Sequence, residues 1–513
     1  MDKIIPWLIA SLISALFSFV QGQTLNSKIV DSVTQKPIPY VTVQLKKKGV
    51  ITNEEGRFSF LLDQTISETD SLFISCIGYA SIGKPLNEFS ENIIYLSPKA
   101  IELDPVIVTN RNYTAEEIIA LVKDNLEANY NTGLNKKRIF LRDSYFQDFS
   151  KTDYTFLKST IKELNKKFLD SVLRTLPKKS RYYTEILCDL YVNNEDDSQK
   201  MELIKASELY DKSKELDYTK LEEKFNEIIN SNIKRDSYFK IKSGLFGTKI
   251  DGEDFDEIFE TEVDSTDAIA LKNKLEEKKK QEEERKTNFA KYRKRAIAGM
   301  MEGLFFMEDT HLNFINKSRK YNFSITNFTY MGEDAVYILD FEPKGSADYK
   351  GRLFINSDDF AIIRLDYENV KPLKKFNLLG ISMSQFLGKG KMIFNKSTNN
   401  KYDLRYLEQE DGTRVGIRRP LKIIEKNKHV KGKNKQNELS VKLDMATVGV
   451  NKHEIIVFDT EPLSKTAYEA FVENNTVLPT YMPRYNPEFW KGYTIIEPNQ
   501  AIREFTSEEE IAK

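Results

Sequence analysis

Histidine, cysteine and tryptophan are scarce in this chain of 513 residues, which has three histidines, two cysteines and two tryptophans. A catalytic zinc ion usually takes three protein ligands, and folds built on disulfides need many more cysteines than two. An excess of charge of one sign is also lacking, since 77 lysines and arginines balance 78 aspartates and glutamates. No overall electrostatic field therefore favours nucleic acid or an anionic membrane.

Sequence motifs for catalysis are missing as well. None of His311, His429 and His453 begins the closely spaced ligand pair of a zinc peptidase, so we predict structural or surface roles for all three. There is no Gly-x-Ser-x-Gly elbow, and the glycines and lysines at 388–391 lack the Walker spacing. The acidic run at 251–257 lacks the ligand register of an EF-hand loop, and we interpret it as a solvated loop. We expect no metal, no cofactor and no enzyme activity, with a hydrolase site assembled from distant residues as the alternative.

The two cysteines suit a reduced, structural role. Cys76 lies in the apolar run 72–77, where a buried thiol acts as a small hydrophobic side chain. A disulfide between Cys76 and Cys188 is the alternative in an oxidising compartment.

Aromatic residues, by contrast, are plentiful. The chain has 32 phenylalanines and 25 tyrosines, and 40% of its residues are hydrophobic. Such a composition supports packed cores rather than disorder. The length allows roughly two to four domains.

The N-terminus is typical of an exported protein. Lys3 precedes a nearly unbroken apolar run at 4–20, and Gly22 follows it. This arrangement predicts a signal peptide over 1–22 with cleavage after Gly22, and a retained membrane anchor is the alternative. We therefore expect a location in the periplasm or in association with the outer membrane.

Residues 25–103 have the pattern of an all-β domain. The segments 41–45 and 58–61 alternate between apolar and polar residues, as half-buried strands do. Between them, the turn at 52–56 ends in Gly56, which tolerates positive φ. We predict a β-sandwich of roughly seven strands.

Four segments of this region resemble the carboxypeptidase regulatory-like domain, a family with a transthyretin-like sandwich. The segments are 28–31 (Lys-Ile-Val-Asp), 36–43 (Lys-Pro-Ile-Pro-Tyr-Val-Thr-Val), 52–58 (Thr-Asn-Glu-Glu-Gly-Arg-Phe) and 77–79 (Ile-Gly-Tyr). Ser27 stands where the family often has glycine, and Asn53 where aspartate is common, which weakens any calcium-binding role for the turn. The resemblance implies such a domain over 23–104, with a structural or binding role and no catalysis.

The region 105–310 is predicted to be rich in helix and charge. Thr114 and Glu117 form a capping box for a helix that reaches about residue 130. The stretch 271–295 mixes lysine and glutamate at helical spacing, which indicates a solvated helix, with a coiled-coil partner site as the alternative. Residues 296–306 return to an apolar face that we expect to dock on the next sheet.

The region 311–513 is predicted to form an antiparallel curved sheet or half-barrel. The segments 335–341, 349–355 and 360–367 are predicted strands, and the short connection at 357–359 joins the last two into an antiparallel hairpin. Further strands are expected at 388–395, 402–407, 415–425, 439–445 and 454–458. The 349–367 hairpin resembles those of envelope proteins with the lipoprotein-carrier half-barrel. The remainder also resembles an uncharacterised Gram-negative envelope family that often continues into an outer-membrane barrel, which we do not expect here. The aromatic tail at 481–505 is predicted to pack on the sheet, with a binding lip as the alternative.

The fold class predicted from the sequence is thus α+β and multidomain, and the function that follows is non-catalytic. We expect an exported binding or scaffold module of the cell envelope, with an unknown envelope protein or an apolar ligand as partner, peripheral outer-membrane association, and no nucleic acid. The alternative is a carrier of a lipid or other apolar ligand, held in the half-barrel. The residues expected to line such a cavity are Phe341, Leu353, Ile355 and Ile363. If the protein's own helices fill the cavity, the carrier hypothesis fails.

Overall fold

The computed structural model describes residues 23–62, 65–89, 92–99, 113–193, 198–233, 237–244, 246–251, 268–308, 310–397, 399–427, 429, 434–474 and 476–508. The predicted signal peptide and almost all of the acidic run at 251–257 lie outside these residues. The chain divides into two compact units. The N-terminal unit comprises Met1–Ala100 with Asn486–Asn499, and the sheet unit comprises Ile101–Tyr485 with Gln500–Lys513.

The described part of the N-terminal unit has seven strands in two sheets, as expected for the sandwich. They are β1 (Gln23–Asp31), β2 (Thr42–Leu45), β3 (Lys48–Ile51), β4 (Arg57–Leu62), β5 (Ser71–Ser75), β6 (Ile82–Pro85) and β7 (Ile93–Leu96). The strand order is β4-β1-β7 in one sheet and β3-β2-β5-β6 in the other. Alternating apolar side chains from both sheets, such as Ile29, Val43 and Phe58, are almost fully buried and form the core.

The backbone conformation and hydrogen bonds of the turn at 52–56 explain why it contains Asn53 and Gly56. Gly56 has φ of 71°, and an added Cβ would lie 2.5 Å from the Ile29 carbonyl oxygen, so only glycine fits. The Asn53 side-chain oxygen accepts from the backbone amides of Glu55 and Arg57, both at 2.9 Å. Its amide nitrogen donates to the carbonyls of residues 497 and 498, at 3.2 and 3.3 Å. An aspartate could not donate, which explains the asparagine here.

The described part of the sheet unit is built on one curved sheet of fourteen strands. The strands are β8 (Asn135–Ser159), β9 (Lys179–Asn193), β10 (Ser198–Tyr210), β11 (Ser237–Ser243), β12 (Phe246–Asp251), β13 (Tyr321–Met331), β14 (Asp334–Pro343), β15 (Tyr349–Asn356), β16 (Ile362–Asn369), β17 (Lys374–Leu378), β18 (Ile381–Lys396), β19 (Tyr402–Asn427), β20 (Lys435–Pro462) and β21 (Thr480–Met482). Their main order is β13-β14-β15-β16-β18-β19-β20-β8-β9-β10-β21, with β17 beside β18 and β11–β12 beside β19. All these pairings are antiparallel except β10–β21.

The helices of the described residues are fewer than the charged middle of the chain suggests. They are α1 (Ala115–Asp124), α2 (Leu126–Asn129), α3 (Lys166–Thr175), α4 (Ser213–Asn232), α5 (Ala268–Glu302), α6 (Lys465–Ala470) and α7 (Gln500–Arg503). The capping box of α1 is present. Within the described residues, no helix is both long and apolar enough to span a bilayer.

The region predicted to be rich in helix needs a correction, because it also supplies the five strands β8 to β12 to the sheet. In the first half of β8, residues 139–144 are buried on both faces, and three apolar residues are followed by the polar Arg142, Asp143 and Ser144. The second half alternates mainly between exposed and half-buried residues, but polar and charged residues occur on both of its faces. Neither half therefore shows a clear alternation of apolar and polar residues in the sequence, and residues on both sides of position 310 belong to the same compact unit.

One face of the sheet carries the core. A row of directly paired apolar side chains crosses nine strands, and every member is at most 2% exposed. The row consists of Leu339, Leu353, Leu365, Met392, Leu407, Ile455, Leu141, Ile186 and Ala206. The C-terminal end of α5 docks near this core, as predicted, through Ile297 and the adjoining Phe305, whose ring lies 5.7 Å from that of Phe394 in β18.

The aromatic tail is shared between the two units. Its residues 480–482 form β21 on β10, and the Phe505 ring packs edge-on against Tyr183 at 5.8 Å, which agrees with packing on the sheet. The middle of the tail differs, because Asn486–Asn499 belongs to the N-terminal unit. Trp490 is buried there, and Asn53 binds the backbone at 497–498.

Candidate binding groove

The opposite face of the sheet carries charges in an ordered pattern. Five successive strands each present two like charges, two residues apart, and the sign alternates from one strand to the next. The pairs are Asp340/Glu342 on β14, Lys350/Arg352 on β15, Asp366/Glu368 on β16, Lys389/Lys391 on β18 and Glu408/Glu410 on β19. Because residues two apart on a strand share a face, all ten side chains lie on this charged face.

The register aligns one member of each pair into a continuous row, which we call the charged row. It runs through Asp340, Arg352, Asp366, Lys391, Glu408, Glu454, Arg142 and Glu185. Side-chain exposure falls along the row, from 51% at Arg352 to 15% at Lys391 and 0% at Glu185. The row is therefore accessible at the β14–β16 end and buried at the β8–β9 end.

The accessible end forms a groove of about 540 Å³. Its ionisable lining residues are Asp340, Glu342, Lys350, Arg352, Asp366, Glu368, Lys389, Lys391 and Glu408, and the other four are Phe341, Gly351, Tyr367 and Gly390. Phe341 and Tyr367 occupy positions whose side chains point to the core face, and Gly351 and Gly390 have no side chain, so the side chains that face the groove are all charged. A polar partner with charges of both signs complements such a set of side chains.

Cross-strand ion pairs organise the groove. Arg352 donates two hydrogen bonds to Asp340, at 2.6 and 2.9 Å, and the Lys350 ammonium lies 2.9 Å from Glu368. The Lys391 ammonium is 3.9 Å from Asp366. Burial lowers the pKa of Lys391, although the nearby Asp366 carboxylate opposes that shift. Opposite charges on neighbouring strands also favour this register over any slipped one.

Beyond the groove, the charged row continues into a buried network. Burial would raise the pKa of Glu408, but Lys452 and Lys391, together with a hydrogen bond from Tyr406, outweigh it and lower that pKa. The Tyr406 hydroxyl lies 2.9 Å from Glu408 and 3.2 Å from Glu454.

At the covered end, the charged row closes on one ion pair. The Arg142 guanidinium binds Glu185 with nitrogen–oxygen distances of 2.7 and 2.6 Å. Glu185 also lies 3.5 Å from the Ser207 hydroxyl. The charges of Arg142 and Glu185 compensate each other, because both side chains are almost fully shielded from water.

His453 lies half-buried on the core face, whereas His311 and His429 are exposed. His453 Nδ1 lies 2.6 Å from Asp143 Oδ1, and Arg293 of α5 binds the same carboxylate. Burial lowers the pKa of His453, but the bond to Asp143 reverses the shift and the pKa is raised. His311 packs against the Tyr349 ring at 5.5 Å. Within the described residues no group of histidines, cysteines and acids has metal-binding geometry.

The four residues expected to line an apolar cavity are buried instead. Phe341, Leu353, Ile355 and Ile363 are at most 1% exposed. The Phe341 ring stacks on Phe314 at 4.5 Å, from the segment that follows α5. The space over Phe341 is thus filled by the protein itself, and the expectation of an open apolar cavity at these residues is wrong.

Both cysteines are thiols rather than halves of a disulfide. Cys188 is fully buried in β9, and burial raises the pKa of its thiol to about 12. The role of a buried small hydrophobic side chain was predicted for Cys76, but Cys76 is only half-buried, and Cys188 is the cysteine that is fully buried.

Comparison with known proteins identifies one part of the chain. Residues 26–108 match the sequence model of the CarboxypepD_reg-like domain. The N-terminal unit therefore carries a CarboxypepD_reg-like domain, as the segments at 28–31, 36–43, 52–58 and 77–79 indicated.

The comparison with curated proteins found no match. Among solved structures, a LolA superfamily protein from Nitrosomonas europaea is similar over 70% of this chain and 98% of its own, at 8% identity. The TM-score of that superposition is 0.17, so the likeness carries no argument about fold or ligand.

Proposed function

We propose that this protein is an exported, non-enzymatic binding module of the cell envelope, and that the groove on the charged face holds a polar polypeptide partner. The observation that carries the proposal is the groove itself, about 540 Å³ in volume and lined by five acidic and four basic residues. An extended polypeptide with charges of both signs complements such a surface, whereas a lipid tail does not.

Three further observations support a binding role. The CarboxypepD_reg-like domain at 26–108 implies an accessory function without catalysis. The Asp143 carboxylate binds both His453 and Arg293, an arrangement that stabilises the packing of α5 on the sheet and is consistent with a structural role for this histidine. The apolar run at 4–20 is typical of a signal peptide.

Site-specific cross-linking in intact cells tests the proposal. A photoreactive amino acid replaces Glu342 at the groove or, as a control, Lys465, which is exposed on α6. We expect an envelope polypeptide to be cross-linked at position 342 and not at 465, and the adduct to be identified by mass spectrometry. Equal cross-linking at both positions contradicts the groove as the site, and recovery of cytoplasmic proteins alone contradicts the envelope assignment.

A further inference from the structure

A second surface feature lies far along β18 from the core, on the hairpin that β17 forms with it. Its apolar side chains are exposed rather than packed. Each is between 36% and 53% exposed: Phe376, Leu378, Leu379, Ile381, Met383 and Ile417. Scattered single exposures of this kind are ordinary, but a contiguous set marks a site of interaction.

The register shows that this set is contiguous. Phe376 pairs with Met383, and Leu378 with Ile381. Ile381 in turn pairs with Ile417 on β19. Directly opposed residues in antiparallel strands share a face, so these side chains form one apolar surface across three strands, which we call the hairpin patch.

The turn of the hairpin supports an interaction role for the hairpin patch, because it has a leucine where the backbone conformation favours asparagine, aspartate or glycine. Leu379 and Gly380 both have positive φ, at 49° and 80°. Two-residue turns of this form favour asparagine, aspartate or glycine, and a leucine in the left-handed region is strained. Leu379 is also 51% exposed, so core packing does not offset the strain. Strain that packing does not explain points to function.

Basic residues predominate around the hairpin patch. Residues 370–388 contain three lysines and no acidic residue, and residues 412–419 of β19 contain three arginines and no acidic residue. Lys371 and Arg418 lie near carboxylates of other segments, 3.2 Å from Asp348 and 3.8 Å from Asp444, so the excess of positive charge comes mainly from the other four. The whole chain is nearly neutral, so this segment is a local departure. Lys375 and Arg414 lie on the face opposite the hairpin patch, where Lys375 pairs with Ser384 and Ser384 with Arg414.

We propose that the hairpin patch is a docking site for an anionic lipid surface, independent of the groove. The apolar face of the hairpin enters the region between headgroups and acyl chains. The lysines and arginines reach back along the hairpin to the phosphates, because long basic side chains extend their charge toward water while their stems stay in apolar surroundings. Charge complementarity selects anionic lipid over a neutral bilayer, with each basic residue near the surface strengthening binding about fivefold.

Vesicle binding by the full chain tests this proposal. The probes are vesicles of phosphatidylethanolamine and phosphatidylglycerol, and vesicles of phosphatidylcholine alone. Leu379→Asn places a residue favoured at this turn, so the fold is retained or stabilised, yet binding to the anionic vesicles should weaken about tenfold because a leucine is lost from the apolar face. The matched control is Leu157→Asn, because Leu157 is 57% exposed on β8 and outside the patch. It should leave binding unchanged.

A local readout separates the hairpin from the apolar N-terminus, which every variant carries. A tryptophan at Phe376→Trp should shift to shorter emission wavelength and be quenched by brominated acyl chains in anionic vesicles. A tryptophan at Leu157→Trp should show neither effect. Charge reversal at Lys374→Glu and Lys375→Glu should abolish the preference for phosphatidylglycerol.

Three outcomes overturn the proposal. The first is equal binding of Leu379→Asn and the unaltered chain to anionic vesicles, and the second is equal affinity for phosphatidylcholine. The third is a dimer in sedimentation that Leu379→Asn dissolves while vesicle binding persists, because the patch would then be covered by a second copy.

Discussion

The buried ion pair between Arg142 and Glu185 allows a quantitative test of how the charged row is held. Their side chains are 2% and 0% exposed. Replacement of Arg142 by methionine keeps an unbranched side chain of similar length but leaves Glu185 as an uncompensated buried charge. Removal of one partner from such a pair costs about 3–5 kcal/mol of the free energy of unfolding.

The chain supplies its own matched control. Arg352 binds Asp340 with similar geometry in the same row, but these side chains are 51% and 32% exposed. Water screens that pair, so Arg352→Met should cost no more than about 1 kcal/mol. The difference between the two variants isolates burial as the cause.

Hydrogen exchange followed by mass spectrometry measures both costs, from peptides of β8 and β9 for Arg142→Met and from peptides of β14 and β15 for Arg352→Met. Because the chain has two units, a residue-resolved readout is preferable to a single melting temperature. The double variant Arg142→Met with Glu185→Leu removes both charges, and its stability should return to within about 1 kcal/mol of the original or exceed it. Equal effects of Arg142→Met and Arg352→Met would refute the reasoning.

Three further predictions concern single positions. Gly351→Ala should destabilise the sheet unit by about 1–3 kcal/mol in urea titration, because its Cβ would clash with the backbone carbonyl oxygen of Asp366 and lie 2.7 Å from the Phe341 ring. Gly299→Ala in α5 meets no atom within 4 Å and should stabilise by about 0.5–1 kcal/mol. The raised pKa of His453 means that its contribution to stability is fully present below the unfolded pKa of 6.5 and is lost as pH rises through the folded value; this slope should disappear in His453→Gln, and an unchanged slope would contradict the assignment. A pKa of about 12 leaves Cys188 almost entirely protonated at neutral pH, so a thiol reagent should modify it in urea and not in the native protein, as read by mass spectrometry.

Local patterns allowed much of the fold to be predicted from the sequence. The seven-stranded N-terminal unit followed from alternation and from the motif segments, and the capping box of α1 followed from Thr114 and Glu117. The hairpin formed by β15 and β16 followed from the short connection at 357–361. These features depend on residues close together in the chain, which a pattern search detects.

Features that depend on distant residues were missed. The strand β8 pairs with β20, some 300 positions away, and its buried first half contains Arg142 and Asp143, so its sequence does not show a clear alternation of apolar and polar residues. Asn486–Asn499 belongs to the N-terminal unit, where Asn53 donates to the carbonyls of residues 497 and 498, and no local pattern indicates such distant contacts.

The groove could be predicted from the sequence in part, because it depends both on local patterns and on the pairing of distant strands. The like-charged pairs on β14, β15, β16, β18 and β19 are visible in the sequence once the strands are placed. Attention to apolar residues led instead to Phe341 and Leu353, which proved to be core. The apolar residues that alternate along a strand identify the face that the sheet buries, whereas the charged residues between them identify the face that is exposed to solvent and to partners.

A charge swap in the groove tests the central claim most directly. Lys350 and Glu368 form a cross-strand pair 2.9 Å apart, both well exposed, so the double variant Lys350→Glu with Glu368→Lys keeps the pair while it inverts the charges that a partner meets. The same swap at Lys166 and Asp170 of α3, a pair 2.8 Å apart, is the control. We predict that cross-linking from position 342 is lost in the groove swap and kept in the control, at unchanged stability. Undiminished cross-linking in the groove swap would show that the charges serve only strand register, and would contradict the account.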